Sequence, residues 1–599
     1  MHELRTILPY FRPYRVGLFW GIVCVIFANV FQVAGPWFMK LAIDALEDPN
    51  VTAGRIAGLA GLIIAASFAG GVFRFGMRQL LNGISRRIET DLRDNFFGHL
   101  LRMDATFYGE TRTGDLMSRA TNDTLAVRMA AGPAIMYTVN TVASFAFALA
   151  LMLTISPRLT GFALVPLLAL PPIVLFFGRI IHRRFEEIQE QFSSLSTFVQ
   201  ENLSGVRLVR AYTQEDEQRR QFDDYNLDYR ARNMRLVLTA GMFHPFLMLM
   251  SGVAMVLVTG LGALEVIADR ISLGDFVAFG FYLTLLIWPM IALGWVVNLY
   301  QRGAASMGRL NRIFETESAI HVAGDVRSIE NARGTIEFRN VGFTYPGTER
   351  PVLQDVSFRV EAGQTAAIVG PTGSGKTTLI ALMTRLYDPT EGTILLDGIP
   401  LDEVDPRELR RIFGVVPQDP FLFSDSIAGN IGMGIDGRTT AAEIETAESP
   451  VARAVKTSAE VAQLHDQIVD FPAGYDTMLG ERGINLSGGQ KQRATLARAL
   501  ARDPRILVLD DALSAVDTHT ETAILDDLRN VTDLRTAFII SHRVSAVMDA
   551  DVILVLDDGR IAQRGTHPEL IGEEGTYARL LRRQMIAEDL AGPALRSAP

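Results

Sequence analysis

The chain has 599 residues, 48% of them hydrophobic, and a formal net charge of −10. That length calls for more than one domain, the acidic balance argues against a nucleic-acid partner, and a mean hydropathy of +0.20 is high for a protein living wholly in water. The single cysteine, Cys24, lies in an apolar stretch and excludes an intrachain disulfide framework or a cysteine-built zinc site.

In chain order, residues 1–15 read as an N-terminal cytoplasmic elbow carrying Arg5, Arg12 and Arg15. Six uncharged runs follow: Val16 to Met39, Ile56 to Phe73, Met129 to Pro157, Leu159 to Gly178, Leu236 to Leu264 and Phe276 to Gln301. The first is too long for the apolar part of a cleavable signal and lacks a small-residue cleavage site. Each run is long enough to cross a hydrocarbon core, which takes about 20 helical residues. The links alternate. Those after runs one, three and five carry only Lys40, Arg55, Arg158 and Arg270 as basic residues, whereas those after runs two and four hold nine and ten arginines. The excess of positive charge places the long links, and with them both termini, in the cytoplasm of a multi-pass membrane protein. The long links read as helices that continue beyond the bilayer, turning near Gly109 to Arg119 and near Gly205 to Tyr212. Residues 16–316 therefore form an all-α, six-helix membrane domain.

The runs contain no Asp, Glu, Lys or Arg, and their polar side chains are mainly Asn29, Gln32, Asn140, His244 and Asn298. Ion pathways show ionisable groups inside the membrane, so the pattern points to an apolar or amphipathic small cargo and contact with membrane lipid. His244 is expected in a hydrogen-bonded packing role, with a titrating or cargo-binding role as the alternative.

After a polar linker at 317–332, residues 333–582 alternate strands, glycine-rich turns and helices in an α/β pattern. Residues 583–599 form a tail. Within the α/β region, Gly370-Pro-Thr372-Gly373-Ser374-Gly375-Lys376-Thr377 fits G-x-x-x-x-G-K-[ST], between an apolar strand at Thr365–Val369 and a helix that begins with Thr378. Glycines there turn backbone N–H groups toward phosphate oxygens, the helix start adds partial positive charge, Lys376 suits the outer phosphates and the Thr377 hydroxyl suits Mg2+. Only four of the chain's 57 basic residues are lysines, so a lysine at this position is a pointed choice. Farther on, Arg505-Ile-Leu-Val-Leu-Asp510 reads as a strand ending in an acid, the place for a carboxylate that holds Mg2+. Ser487-Gly488-Gly489 opens a helix beginning with Gln490, which makes a second anion-binding N-terminus.

With Leu486-Ser-Gly-Gly-Gln490, Tyr345, Gln418 and His542 in this order, the chain resembles an ATP-binding cassette exporter half-transporter, in which membrane and P-loop nucleotide domains are fused; the resemblance covers nearly its whole length. It implies that two nucleotide domains pair head to tail, each ATP lying between one chain's phosphate loop and the other's Ser487 segment. It further implies that Tyr345 stacks on adenine, that Gln418 senses Mg2+ and links to the membrane helices, that Asp517 in Ser514-Ala-Val-Asp517 communicates between the two sites, and that His542 contacts the γ-phosphate. Gly480-Glu-Arg-Gly483 resembles the segment that touches the long cytoplasmic links.

One position departs from the family. Asp511 follows the strand aspartate where the family usually has the Glu that polarises the attacking water. This resembles the degenerate subunit of heterodimeric multidrug or lipid exporters, so a heterodimer with one slow and one active site is expected. The alternatives are a homodimer, an ATP-gated channel, and a chelate importer on an exporter-like fold. A soluble ATPase is excluded by the six runs.

Overall fold

A computed structural model describes residues 2–321, 326–435, 439–447, 449–480, 486–532, 535–541, 543 and 547–591. The chain divides into two units. One is Met1–Arg102 with Thr111–Glu317, and the other is Met103–Glu110 with Ser318–Pro599.

The first unit is helical. Its rods are α1 (Arg15–Leu46), α2 (Ala53–Leu100), a third rod from Thr113 that ends in α3 (Ile135–Ile155), α4 (Pro157–Ser204), α5 (Glu215–Ile267) and α6 (Leu273–Phe314). Six helical segments are apolar and long enough to cross a membrane. At 1.5 Å per residue the 48 residues of α2 reach about 72 Å, more than twice a hydrocarbon core of about 30 Å. The arginine-rich links are therefore largely helical continuations of the spans, as expected. Between α4 and α5 the chain turns through a short helix, Val206–Ala211. Two π turns, Arg119–Asp123 and Ala130–Ala134, interrupt the third rod. Pro133 lies in the second and has no N–H to donate, which accounts for that irregularity.

Local chemistry fixes the ends. Ser156 caps α4 by accepting from the Leu159 N–H at 3.2 Å. Ser272 and Asp275 form a reciprocal capping box on α6. Leu159, Ala163, Leu167 and Leu170 of α4 pack with Phe279, Tyr282, Leu283 and Leu286 of α6 in one buried cluster. Asn29 is buried and donates to Asn140 Oδ1 at 3.0 Å. His244 departs from its expected packing role: it is exposed and makes no side-chain hydrogen bond among the described residues. Only 11% of the apolar window of α2 is buried within the chain, so lipid or a second chain must cover the remainder.

The end of α1 is fastened to the start of α6. Lys40 Nζ meets Asp275 Oδ1 at 2.6 Å, and the Gly274 N–H donates to Asp44 Oδ1 at 3.0 Å. The buried Tyr282 hydroxyl donates to the Val33 carbonyl at 3.0 Å, three residues before Pro36 in the interior of α1. A Cβ on Gly274 would lie 2.2 Å from Asp44 Oδ1 and 2.5 Å from the Lys40 carbonyl. Gly274→Ala is therefore expected to cost about 1–3 kcal/mol. Thermal aggregation of the detergent-solubilised protein should shift to lower temperature; an unchanged midpoint would show that the two helices separate without strain.

The second unit holds two sheets. The antiparallel one has the order β2 (Leu353–Val360), β1 (Ile336–Phe343), β4 (Glu391–Leu396), β5 (Ile399–Pro400). The larger has the order β10 (Arg560–Gly565), β9 (Val552–Asp557), β3 (Thr365–Val369), β8 (Thr536–Ile540), β7 (Ile506–Asp510), β6 (Phe413–Val416). All of its neighbours are parallel except β10 with β9. Its central strands are buried on both faces, which is why they read as continuous apolar runs. Both sheets and the helix α7 (Lys376–Met383) share one hydrophobic core, while a second gathers helices between Ile427 and Leu528, including α8 (Gly488–Ala501). Within the linker, Ile329 is buried in the first of these cores and the Arg327 N–H donates to the Glu403 carbonyl at 2.8 Å. Asp104 accepts from the Phe107 N–H at 3.0 Å, the Ser318 hydroxyl at 3.1 Å and the Ala319 N–H. Burial pushes the Asp104 carboxyl up, yet these donors outweigh it and hold it below the usual range.

Candidate nucleotide site

Strands β3, β8, β7 and β6 run parallel, so their carboxyl ends share one edge of the sheet. In open α/β sheets this edge is where ligands bind. The sequence between β3 and α7 is the phosphate loop. Gly375 needs its freedom: φ is +103°, and a Cβ would lie 2.7 Å from Leu353 Cδ2. A Cβ on Gly370 would lie 2.1 Å from the Leu556 carbonyl oxygen.

Lys376 is buried and donates to the carbonyls of Gly370 at 2.9 Å and Pro371 at 2.8 Å. Burial lowers its ammonium below the usual lysine range, and the carboxylates of Asp510 and Asp511 oppose that shift. The hydroxyl of Ser374 is buried without a hydrogen-bond partner. Leaving a buried hydroxyl unpaired costs about 1–3 kcal/mol, a cost that a phosphate oxygen removes. Together with the exposed Thr377, these residues fit a nucleoside triphosphate. Tyr345 is half-buried beside the loop; its hydroxyl is 3.1 Å from Thr378 Oγ1, and its ring meets Phe343 and Tyr387 edge-on at 4.9 and 5.4 Å.

Asp510 is buried at the end of β7, opposite Ile540 in register. Asp511 follows with φ at +48°; its N–H donates to the Ile540 carbonyl at 2.9 Å, and its own carbonyl accepts from the Ser514 N–H at 3.3 Å. Gln418 is exposed just beyond the end of β6. His542 lies outside the described residues, as do Glu481, Arg482 and Gly483.

Ser487 caps α8, accepting from the Gln490 N–H at 3.3 Å while its own N–H donates to Gln490 Oε1 at 2.9 Å. Ser487 and Gly488 are exposed, and among the described residues no hydrogen bond joins Ser487–Gln490 to the phosphate loop. A Cβ on Gly489 would lie 2.8 Å from the Ala515 carbonyl oxygen, so the helix start sits directly on the Ser514–Asp517 loop. Asp517 accepts from the Thr520 N–H, the main cause holding its carboxyl below the usual range.

Two side chains that sequence reasoning left without a role hold that loop. Gln492 Nε2 donates to Ser514 Oγ at 2.9 Å while its Oε1 accepts from the Ala515 N–H at 2.9 Å. Arg543 donates to the Ser514 carbonyl at 2.9 Å and pairs with the buried Glu521. Gln492 stands one turn into a helix, where nothing in a single sequence marks it.

Residues 18–290 match the ABC transporter transmembrane region, and residues 353–514 match the ABC transporter family. The chain is 38% identical over 582 residues to the probable multidrug resistance ABC transporter ATP-binding/permease protein YheI of Bacillus subtilis, covering 96% of this chain and 97% of that one. It belongs to the ABC transporter family. The multidrug resistance-like ATP-binding protein MdlA of Escherichia coli is 36% identical, covering 96% of each chain. The ATP-dependent lipid A-core flippase of Photobacterium profundum is 34% identical, covering 97% of each. A solved bacterial Atm1-family ABC exporter with ATP bound superposes with a TM-score of 0.77 at 29% identity, covering 96% of this chain and 99% of that one. The chain is thus an ABC exporter with membrane and ATP-binding regions fused, and its α/β unit is of the kind that couples ATP hydrolysis to transport.

Proposed function

We propose that this chain is one half of an exporter that moves amphipathic compounds or lipids across a bacterial plasma membrane, and that it contributes the slower ATP site of a heterodimer. The observation that carries the second part is Asp511, an aspartate held directly after Asp510 on the edge where the phosphate loop lies. A carboxylate drawn back by one methylene, about 1.5 Å, misses a position where about 1 Å is worth on the order of 100-fold in rate. The intact Ser487–Gln490 segment supports a role in completing the partner's site. A multidrug-resistance relative and a lipid-flippase relative support cargo of the amphiphile class. The arginine-rich links support cytoplasmic termini.

Bound ATP with Mg2+ supplies the chemical energy. Lys376 faces its outer phosphates, Gly370, Thr372, Gly373, Ser374, Gly375 and Thr378 line its cradle, and Tyr345 flanks its adenine. Thr377, Asp510 and Gln418 would hold the metal. The resemblance assigns His542 to the γ-phosphate and Asp517 to communication with the opposing site, and Ser487, Gly488, Gly489 and Gln490 would grip the opposing chain's ATP.

The test is purification from native membranes. A second, different half-transporter is expected to accompany the chain, and the pair in inverted vesicles is expected to accumulate an amphiphilic dye against a gradient in an ATP-dependent way. Brisk ATP hydrolysis by the chain alone, abolished by Asp511→Asn, would overturn the degenerate-site reading. Dissipation of the gradient on adding ATP would favour a gated channel.

A further inference from the structure

Arg74 is the first charged residue after the second apolar run, and by sequence alone it belongs to the cytoplasmic link. Its guanidinium points the other way. In an α-helix the Cα–Cβ bond tilts toward the N-terminus, which for α2 is the outer end. Arg74 Nη2 donates to Gln32 Oε1 at 3.1 Å. Gln32 lies 7 residues, about 10 Å, inward of Met39 at the outer end of the first apolar run, and Arg74 lies 18 residues, about 27 Å, inward of Ile56 at the outer end of the second, both within a hydrocarbon core of about 30 Å. The contact is therefore inside the hydrocarbon layer.

Among the described residues no carboxylate lies within 4.0 Å of Arg74, so one neutral amide oxygen is the partner of a full positive charge. An arginine at such depth is costly unless it is paired or solvated, and it marks a pathway or ligand by default. The Gln32 contact occupies one nitrogen, leaving donors of the planar fork for a second, bidentate partner. Beside it the rings of Phe27 and Phe31 stack on Phe73 at 5.2 and 5.7 Å, with interplanar angles of 21° and 15°. Phe31 and Phe73 are the chain neighbours of Gln32 and Arg74. A fixed cation thus adjoins an apolar aromatic ladder, and both Phe27 and Arg74 are exposed within the single chain.

We infer that Arg74 and Gln32 form a binding site for the oxyanion head group of an amphiphile, a carboxylate or phosphate monoester, whose apolar part lies along Phe27, Phe73 and Phe31. This narrows the cargo class and rests on the export reading above. An acidic membrane lipid and an acidic drug-like compound share this chemistry.

Equilibrium binding of radiolabelled dodecyl phosphate to the assembled transporter in phosphatidylcholine nanodiscs, corrected with empty nanodiscs, tests the site. Arg74→Gln is expected to weaken binding at least tenfold and Arg74→Lys, which keeps the charge but loses the bidentate fork, several-fold but less than Arg74→Gln, with dodecanol binding unchanged. Competition by phosphatidic acid would name lipid as the source. Failure to compete, with dodecyl phosphate still bound, would name single-chain amphiphiles, and either result upholds the site. Equal binding by wild type and Arg74→Gln overturns it, as does an equal loss of dodecanol, which would make Arg74 structural. Should Arg74→Gln not assemble, wild type answers by itself: dodecyltrimethylammonium binding as tightly as dodecyl phosphate would sink the inference. ATP-driven transport failing for every probe while the anion still binds would remove the export reading and leave the site.

Discussion

Asp511→Glu is expected to raise single-turnover hydrolysis of the ATP held by this chain's own loop on the order of 100-fold. The backbone cannot compensate for the short side chain. The N–H of Asp511 is committed to Ile540 at 2.9 Å, and its carbonyl to the Ser514 N–H at 3.3 Å and Gln492 Nε2 at 3.4 Å, so its Cα is pinned from both sides. Only a longer side chain advances the carboxylate. Glutamate is less at ease than aspartate at φ +48°, a penalty of about 1 kcal/mol. A 100-fold gain is worth about 2.7 kcal/mol of barrier, so the rate effect is the larger. The measurement is rapid-quench hydrolysis in the assembled pair, with the partner's own catalytic carboxylate neutralised. A wild type already as fast as the glutamate variant would point to a complete site and to the homodimer.

Gly489→Ala is expected to lower steady-state turnover of the pair on the order of 100-fold while ATP binding by this chain's loop stays within about twofold. The new Cβ would lie 2.8 Å from the Ala515 carbonyl, a backbone atom in a loop held by Gln492 and Arg543. The strain must move the start of α8, and with it the amides around Ser487, which are proposed to face the partner's nucleotide. Gly488 provides the control: a Cβ there would meet Ala515 Cβ at 3.6 Å, an ordinary contact. Gly488→Ala should therefore be several-fold milder on packing grounds. Turnover of Gly489→Ala within a few-fold of wild type would show that this helix start does not touch a reacting ATP.

Much of this architecture was legible because its signals are local. The buried strands β3 and β7 announced themselves as apolar runs, and the capping box of Ser487 with Gln490 is four residues long. The rods of the membrane unit followed from run length and arginine placement. What escaped depends on partners far along the chain. Lys40 gave no sign of Asp275, nor Arg74 of Gln32, because an ion pair or hydrogen bond between distant segments leaves no periodicity. The π turn at Arg119–Asp123 has no proline to betray it, unlike the one at Pro133. His244 was assigned a packing partner on residue type alone, and the fold leaves it exposed.

The segment Met103–Glu110, which in the sequence follows α2 and precedes the third rod, groups with the nucleotide unit. Asp104 there receives the Ser318 hydroxyl and the Ala319 amide, where that unit's main stretch begins. An ATPase fragment excised at Ser318 therefore leaves behind a piece of itself: it starts with two orphaned donors and without the carboxylate that anchors them. Truncation for isolated study would produce a frayed leading end that the intact polypeptide does not have.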